Sequence, residues 1–315
     1  MAISSSDIIE GVNLRISNPQ TQGLLTDANI LSFTNQIVKG YLVPLIDSVD
    51  GNYFVRELTQ SVVANQSNYS VPSRSVGRTL RELKISDTSS NYLRNCPQIP
   101  LENAYLYTNW TSVIGFMFMA DGIQLIPSPP TNLTIDQVLH FWFYLPPNKL
   151  VDASRTATVT NINPAANQVT VDAVPTGMGI NTSVDFIQSV SGNSIYAFDK
   201  AIQGLAATTF TFLANTIPST LQIGDFINFA GESSVLNFIP NEAEPYINTL
   251  VSQRCLRAIS DYEGAQQLDG DFKIEKENLL KILAPRIQGE PEVILSFDSI
   301  ARSGKLNQRS WLYGN

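Results

Sequence analysis

The sequence predicts an α+β protein: a helical body with mixed β-strands, an inserted small all-β domain of barrel or sandwich type, and extended N- and C-terminal arms. Three observations predict it. The longest amphipathic helix patterns lie toward the two ends of the chain, at 27–46, 241–260 and 268–283. Between them, residues 155–230 read as short strands separated by turns, with almost no charge. Arg302–Asn315 is basic and aromatic and has no core periodicity. The expected units are an extended arm over 1–26, a body over 27–151 and 231–288, the inserted β-domain over 152–230, and a docking extension over 289–315.

Each element follows from local pattern. Ser4, Ser5 and Ser6, then Asn18-Pro19 and Gly23, make the first 25 residues read as an extended arm. Thr26-Asp27 is a helix start, because both side chains accept hydrogen bonds from unpaired N–H groups. Ile30, Phe33, Ile37 and Tyr41 follow at helical spacing, and Pro44 is expected to kink that helix or end its regular part. Strands are expected at Tyr53–Val63, Ser67–Val71, around Leu83 and Ile85, and at Cys96–Ile99, with a short helix over 100–107. Asp121-Gly122 between apolar runs predicts a tight hairpin over 115–127. Val138–Leu145 is a strongly apolar strand stopped by Pro146-Pro147. In the low-charge stretch, strands are expected at Ala157–Ile162, Gln168–Val174, Ser183–Val190, Ser194–Phe198, Thr208–Leu213 and Asp225–Phe229. Helices resume over 241–260 and 268–283, with Pro285 ending the second.

Composition narrows the function. The chain has 315 residues, of which 43% are hydrophobic and only 15% charged, against ~25% charged in an average soluble protein. Solvation therefore falls to Ser, Thr, Asn and Gln. Such a surface suits faces covered by neighbouring subunits, and a secreted β-rich protein shares the composition. A net charge of −8 argues against nucleic-acid binding, which needs clustered Lys and Arg to release counterions. An acidic surface would let DNA slide past without sticking. Cys96 and Cys255 lack metal or redox spacing and read as reduced, buried thiols. The first residues lack the basic start and apolar run of a signal peptide, and the longest apolar run, Val113–Met119, is strand-length. The expectation is synthesis in the cytosol and no membrane partner.

No motif carries catalysis. His140 is the sole histidine and has no Gly-x-Ser-x-Gly elbow or second metal ligand near it in sequence. Asp47, Asp50 and Asn52, and Asp269-Gly270-Asp271, crowd turns without completing a calcium loop. Phosphate-binding glycine loops are absent, so no cofactor is expected. Two segments read as interaction sites. In Ser73-Arg-Ser-Val-Gly-Arg78, Arg74 and Arg78 frame a glycine and suit ion pairs with acidic groups of a neighbouring subunit. In the tail, Arg302, Lys305, Arg309, Trp311 and Tyr313 belong to the residue types enriched at binding hot spots.

Several stretches together resemble head-to-tail adaptor (connector) proteins of tailed bacteriophages. They are Tyr69-Ser-Val-Pro-Ser-Arg-Ser-Val-Gly-Arg78, Asp121-Gly-Ile-Gln-Leu-Ile-Pro-Ser-Pro129 and Tyr144-Leu-Pro-Pro-Asn-Lys-Leu150, followed by Val184-Asp-Phe-Ile-Gln188, Ile223-Gly-Asp-Phe-Ile227, Gln253-Arg-Cys-Leu-Arg-Ala258 and Pro285-Arg-Ile-Gln-Gly-Glu-Pro291. The resemblance spans about residues 27 to 291. It implies a non-enzymatic virion protein of the neck, a ring of about twelve copies seated beneath the portal. The ring would extend the channel for passing double-stranded DNA and offer a platform for tail or nozzle proteins. The C-terminal extension would grip the portal, with Trp311 and Tyr313 as anchors and Arg302 and Arg309 paired to portal carboxylates. Two other classes remain open at this stage: a tail-tip or receptor-binding protein whose β-module takes a host glycan, and a virion-associated hydrolase using paired carboxylates.

Overall fold

A computed structural model describes residues 3–16, 25–76, 80–87, 93–107, 112–120, 122–130, 137–190 and 194–283. The expected Asp121 turn position, Arg78, and the tail residues Arg302, Lys305, Arg309, Trp311 and Tyr313 lie outside the described residues. The protein is α+β: six α-helices accompany four β-sheets among the described residues.

The first helix is a correction. Ser5–Ile16 forms α1 instead of an extended arm. A capping box starts it: the Ser4 hydroxyl accepts the Asp7 N–H at 3.1 Å, and the Asp7 carboxylate accepts the Ser4 N–H at 2.9 Å. Ile8 and Val12 are buried on one face. Gly11 lets α1 approach the buried Asn248 of α4 (Glu244–Ala258), since a Cβ there would sit 2.4 Å from the Asn248 amide nitrogen.

Helix α2 (Asp27–Ile37) starts at Thr26, whose side chain accepts the Asn29 N–H. It runs through a π-helical turn, Val38–Leu42, into α3 (Val43–Val49). The wide turn is how the chain meets Pro44, which has no N–H to offer the helix ladder. Two later helices, α5 (Tyr262–Gln267) and α6 (Asp269–Leu283), pack behind α4, with Tyr246 and Phe272 stacked at 5.5 Å.

The body sheet contains β1 (Val55–Ser61), β3 (Glu82–Asp87), β4 (Leu93–Asn95) and β7 (Gln137–Tyr144), in the order β1-β7-β3-β4 and antiparallel throughout. Alternation is clean on β7: Leu139, Phe141 and Phe143 are fully buried, while Val138, His140, Trp142 and Tyr144 face the other way. The strand expected at Cys96–Ile99 instead occupies Leu93–Asn95, after which the chain leaves β3 and bridges to the hairpin through Gln98 and Phe116. Strands β2 (Asn68–Ser70), β5 (Gly115–Met119) and β6 (Gly122–Ile126) form a second sheet. Gly122 is required there, since a Cβ would lie 2.2 Å from the Tyr69 carbonyl oxygen.

The low-charge stretch folds as a seven-stranded antiparallel sheet, ordered β12-β11-β15-β9-β10-β14-β13. Its strands are β9 (Thr156–Asn163), β10 (Gln168–Val171), β11 (Ser183–Ile187), β12 (Ile195–Ala201), β13 (Gly204–Ala206), β14 (Thr209–Thr211) and β15 (Phe226–Phe229). Val159, Val169, Val184, Phe186, Phe210 and Ile227 form a separate hydrophobic cluster of its own. The other cluster draws on both sides of this stretch, from Ile3 to Leu150 and from Val235 to Leu279, and also takes in Ile187 and Ile195 at the ends of β11 and β12. Where the chain leaves and re-enters the body, β8 (Lys149–Leu150) and β16 (Glu232–Ser233) pair in parallel. The Asn35 side chain of α2 takes the next place, donating to the Leu150 carbonyl at 2.8 Å and accepting its N–H at 2.7 Å.

Candidate functional site

The most heavily built polar centre joins the β-unit to the body. Asp185 on β11 is completely buried. One of its oxygens accepts Arg74 at 2.6 Å, the Asn148 amide at 2.8 Å and the Gly231 N–H at 3.0 Å, and the other accepts the Asp199 N–H at 3.0 Å. A buried carboxylate stays in place only when its lone pairs are satisfied and its charge is paired, and here both conditions hold. Arg74 also donates to the Asn148 carbonyl oxygen and lies over the Phe198 ring, 5.8 Å from its centroid.

The partners come from both units. Arg74 and Asn148 belong to body loops, whereas Asp185, Asp199 and Phe198 sit on β11 and β12. Phe143 of the body meets Phe198 edge-on at 6.0 Å. Asp199 adopts a left-handed backbone conformation (φ 54°), which turns its N–H toward Asp185. Burial pushes the Asp199 carboxyl above the ordinary carboxylate range; Arg74 opposes that rise and Asp185 adds to it. Arg74, expected to reach a neighbouring subunit, is thus placed inside its own chain. Asp185 and Asn148 were not among the expected site residues. For Asp185 the signal was a single charge in the apolar run Val184-Asp185-Phe186-Ile187.

A second constellation surrounds His140. Its Nε2 lies 2.7 Å from the Ser86 hydroxyl, and its Nδ1 faces the Glu57 carboxylate. The order serine, histidine, carboxylate is that of a nucleophile, base and orienting group. The setting differs from such sites. The three residues lie on neighbouring strands β3, β7 and β1, on the sheet face away from the core. Strands β3 and β7 have partners on both sides, so their N–H groups around Ser86 are committed to the ladder and cannot stabilise an oxyanion. Trp142 and Lys84 share that face, the ammonium 6.0 Å from the ring centroid. The cluster acts as a three-strand clamp.

The two acidic turns are used locally. Asp50 accepts the Asn52 N–H at 2.9 Å, and Asp269 accepts the Gln253 amide at 2.9 Å. Among the described residues, no group of three His, Cys, Asp or Glu side chains could hold a metal ion. The two thiols are buried and free; burial pushes Cys96 up to about 12 and Cys255 up to about 11. A cleft of about 510 Å³ beside the β8–β16 neck is lined by Leu31 of α2, by Lys39 of the π-helical turn, and by Lys149, Asp152 and Arg155 at the neck. Arg155 bonds Glu232 at 2.7 Å across the neck and covers the Phe229 ring at 4.5 Å. No helix among the described residues is long and apolar enough to cross a membrane. No model of a known protein family matches the chain, and no curated protein matches it.

Proposed function

We propose that this chain is a structural protein of a tailed-phage virion, a head-to-tail adaptor that assembles as a ring beneath the portal, extends the DNA channel and seats the tail. The observation that carries the reading is the way the low-charge β-unit is fixed to the helical body. The pairing of Arg74 with the buried Asp185, an edge-on Phe143–Phe198 contact and a two-strand neck fasten it to the body. Rigid presentation of a sparsely charged module suits a part that must fit between neighbours. The resemblance of seven stretches to connector proteins points the same way, as does the acidic balance of −8, which disfavours adhesion to passing DNA. The tail residues Arg302, Lys305, Arg309, Trp311 and Tyr313 are the proposed grip on the portal, being of the residue types enriched at binding hot spots.

Electron microscopy of the purified chain, alone and with its portal, tests this. Rings with a central channel, or a collar added to the portal, are expected. Removing residues 302–315 should abolish the collar and leave the fold intact. Monomers that ignore the portal would overturn the reading.

A further inference from the structure

The body sheet ends in two edges, and the hydrogen-bond phase of each can be read directly. On β1, the Val62 N–H reaches the Gln137 carbonyl at 2.8 Å and the Leu145 N–H reaches the Phe54 carbonyl at 3.0 Å. Both belong to the β1–β7 register, so Phe54, Arg56, Leu58, Gln60 and Val62 turn their backbone groups toward β7. Val55, Glu57, Thr59, Ser61 and Val63 therefore turn theirs outward. The two ends of that outward row are closed. Arg56 donates to the Val55 carbonyl at 2.7 Å, and the Val63 N–H donates to the Tyr69 hydroxyl at 2.8 Å. Between those caps, the outward N–H and C=O groups of Glu57, Thr59 and Ser61 have no partner among the described residues.

The opposite edge has the same character. The Cys96 N–H donates to the Leu83 carbonyl at 2.9 Å, in the β3–β4 register, so Leu93 and Asn95 turn outward. Neither is bonded through its outward backbone groups among the described residues, and all of β4 is exposed. The row ends at Pro97, whose carbonyl accepts the Phe116 N–H at 3.0 Å. Unpaired edge rows are templates for strand addition, and proteins usually block them with lysine, proline or a bulge. The β1 row carries none of these between its caps, and the β4 row meets a proline only where it ends, at Pro97.

We propose that the β1 edge of one copy pairs with the β4 edge of the next, so that the body sheet continues from subunit to subunit. Polarity favours a second copy as the occupant. Strands β1, β7, β3 and β4 alternate in direction, so β4 runs opposite to β1, and a neighbour's β4 laid against β1 preserves the antiparallel order. The outward residues on both strands recur every second position, as a hydrogen-bonded antiparallel pair requires. The contact is head-to-tail: it uses different edges on the two partners and closes into a ring when the rotation per copy divides a full turn. The pairing rests on the ring assembly proposed above.

The test uses the full chain carrying Thr59→Pro. The Thr59 N–H points away from β7, so proline removes an intersubunit donor and leaves the β1–β7 ladder intact. The expected result is loss of rings, with the monomer's circular dichroism and melting temperature unchanged. A second variant, Thr59→Cys with Leu93→Cys, should give a ladder of covalent oligomers with a short bifunctional maleimide, while either single substitution gives none. If Thr59→Pro also unfolds the chain, the ladder alone decides. Rings that survive Thr59→Pro and yield no ladder overturn the edge pairing but not the adaptor reading. A wild-type chain that forms no ring, with or without portal, overturns both.

Discussion

Asp199 shows how one side chain feels the junction. Its carboxyl is raised above the ordinary range mainly by burial, against the pull of Arg74 at 3.9 Å. A raised carboxyl holds its proton more tightly in the folded than in the unfolded chain. Its favourable contribution is present below the ordinary carboxylate range and disappears as pH rises through the raised value. At neutral pH the charged form is therefore unfavourable, and Asp199→Asn should raise the melting temperature at pH 7. The substitution should also flatten the melting temperature between the ordinary and the raised carboxyl range; a steeper dependence would contradict this. Asparagine also tolerates the left-handed backbone at this position. The junction was only half legible in the sequence. Arg74 stood out beside serines and a glycine, but a cation in a polar loop does not reveal its partner. Asp185 lies 111 positions away, and no local pattern joins two residues so far apart.

At the level of elements, periodicity was informative wherever one face is buried and misleading where capping decides. The β7 strand and the β5–β6 pair were legible because apolar runs of strand length are bounded by prolines and glycines. Helix α1 was not, because only Ser5, Ile8 and Val12 are buried on it, too few for a strong stripe. The Ser4-to-Asp7 spacing carried the missing signal, a helix start hidden in a serine run. Strand β4 moved upstream of its expected place because Pro97, having no N–H, cannot continue the ladder with β3. The α1–α4 crossing depends on Gly11, so Gly11→Val should separate the helices and destabilise the chain by about 1–3 kcal/mol in urea titration. Unchanged stability would mean that Asn248 can turn aside.

For the whole molecule, two hydrophobic clusters are joined by Ile187 and Ile195, which pack into the body cluster, and by the Arg74–Asp185 pair. Removing one partner of a buried ion pair costs about 3–5 kcal/mol, because the other charge is left buried and alone. Arg74→Ala should therefore lower stability by roughly that amount. In hydrogen exchange, β11 and β12 should lose protection before α4 does; equal loss everywhere would argue for one indivisible core. The sequence shows a fall in charge over 155–230, whereas it gives no sign of the Arg74–Asp185 pairing. The fold also sets a schedule. Arg15 of α1 bonds Thr249 of α4, a residue 234 positions later. At about 5–20 residues per second of synthesis, that gap is roughly 10–50 seconds. During that time Ile8 and Val12 have left the ribosome without the surface that covers them, while the β-unit, with its strands between Thr156 and Phe229, can already close. The first helix to be made waits for one of the last.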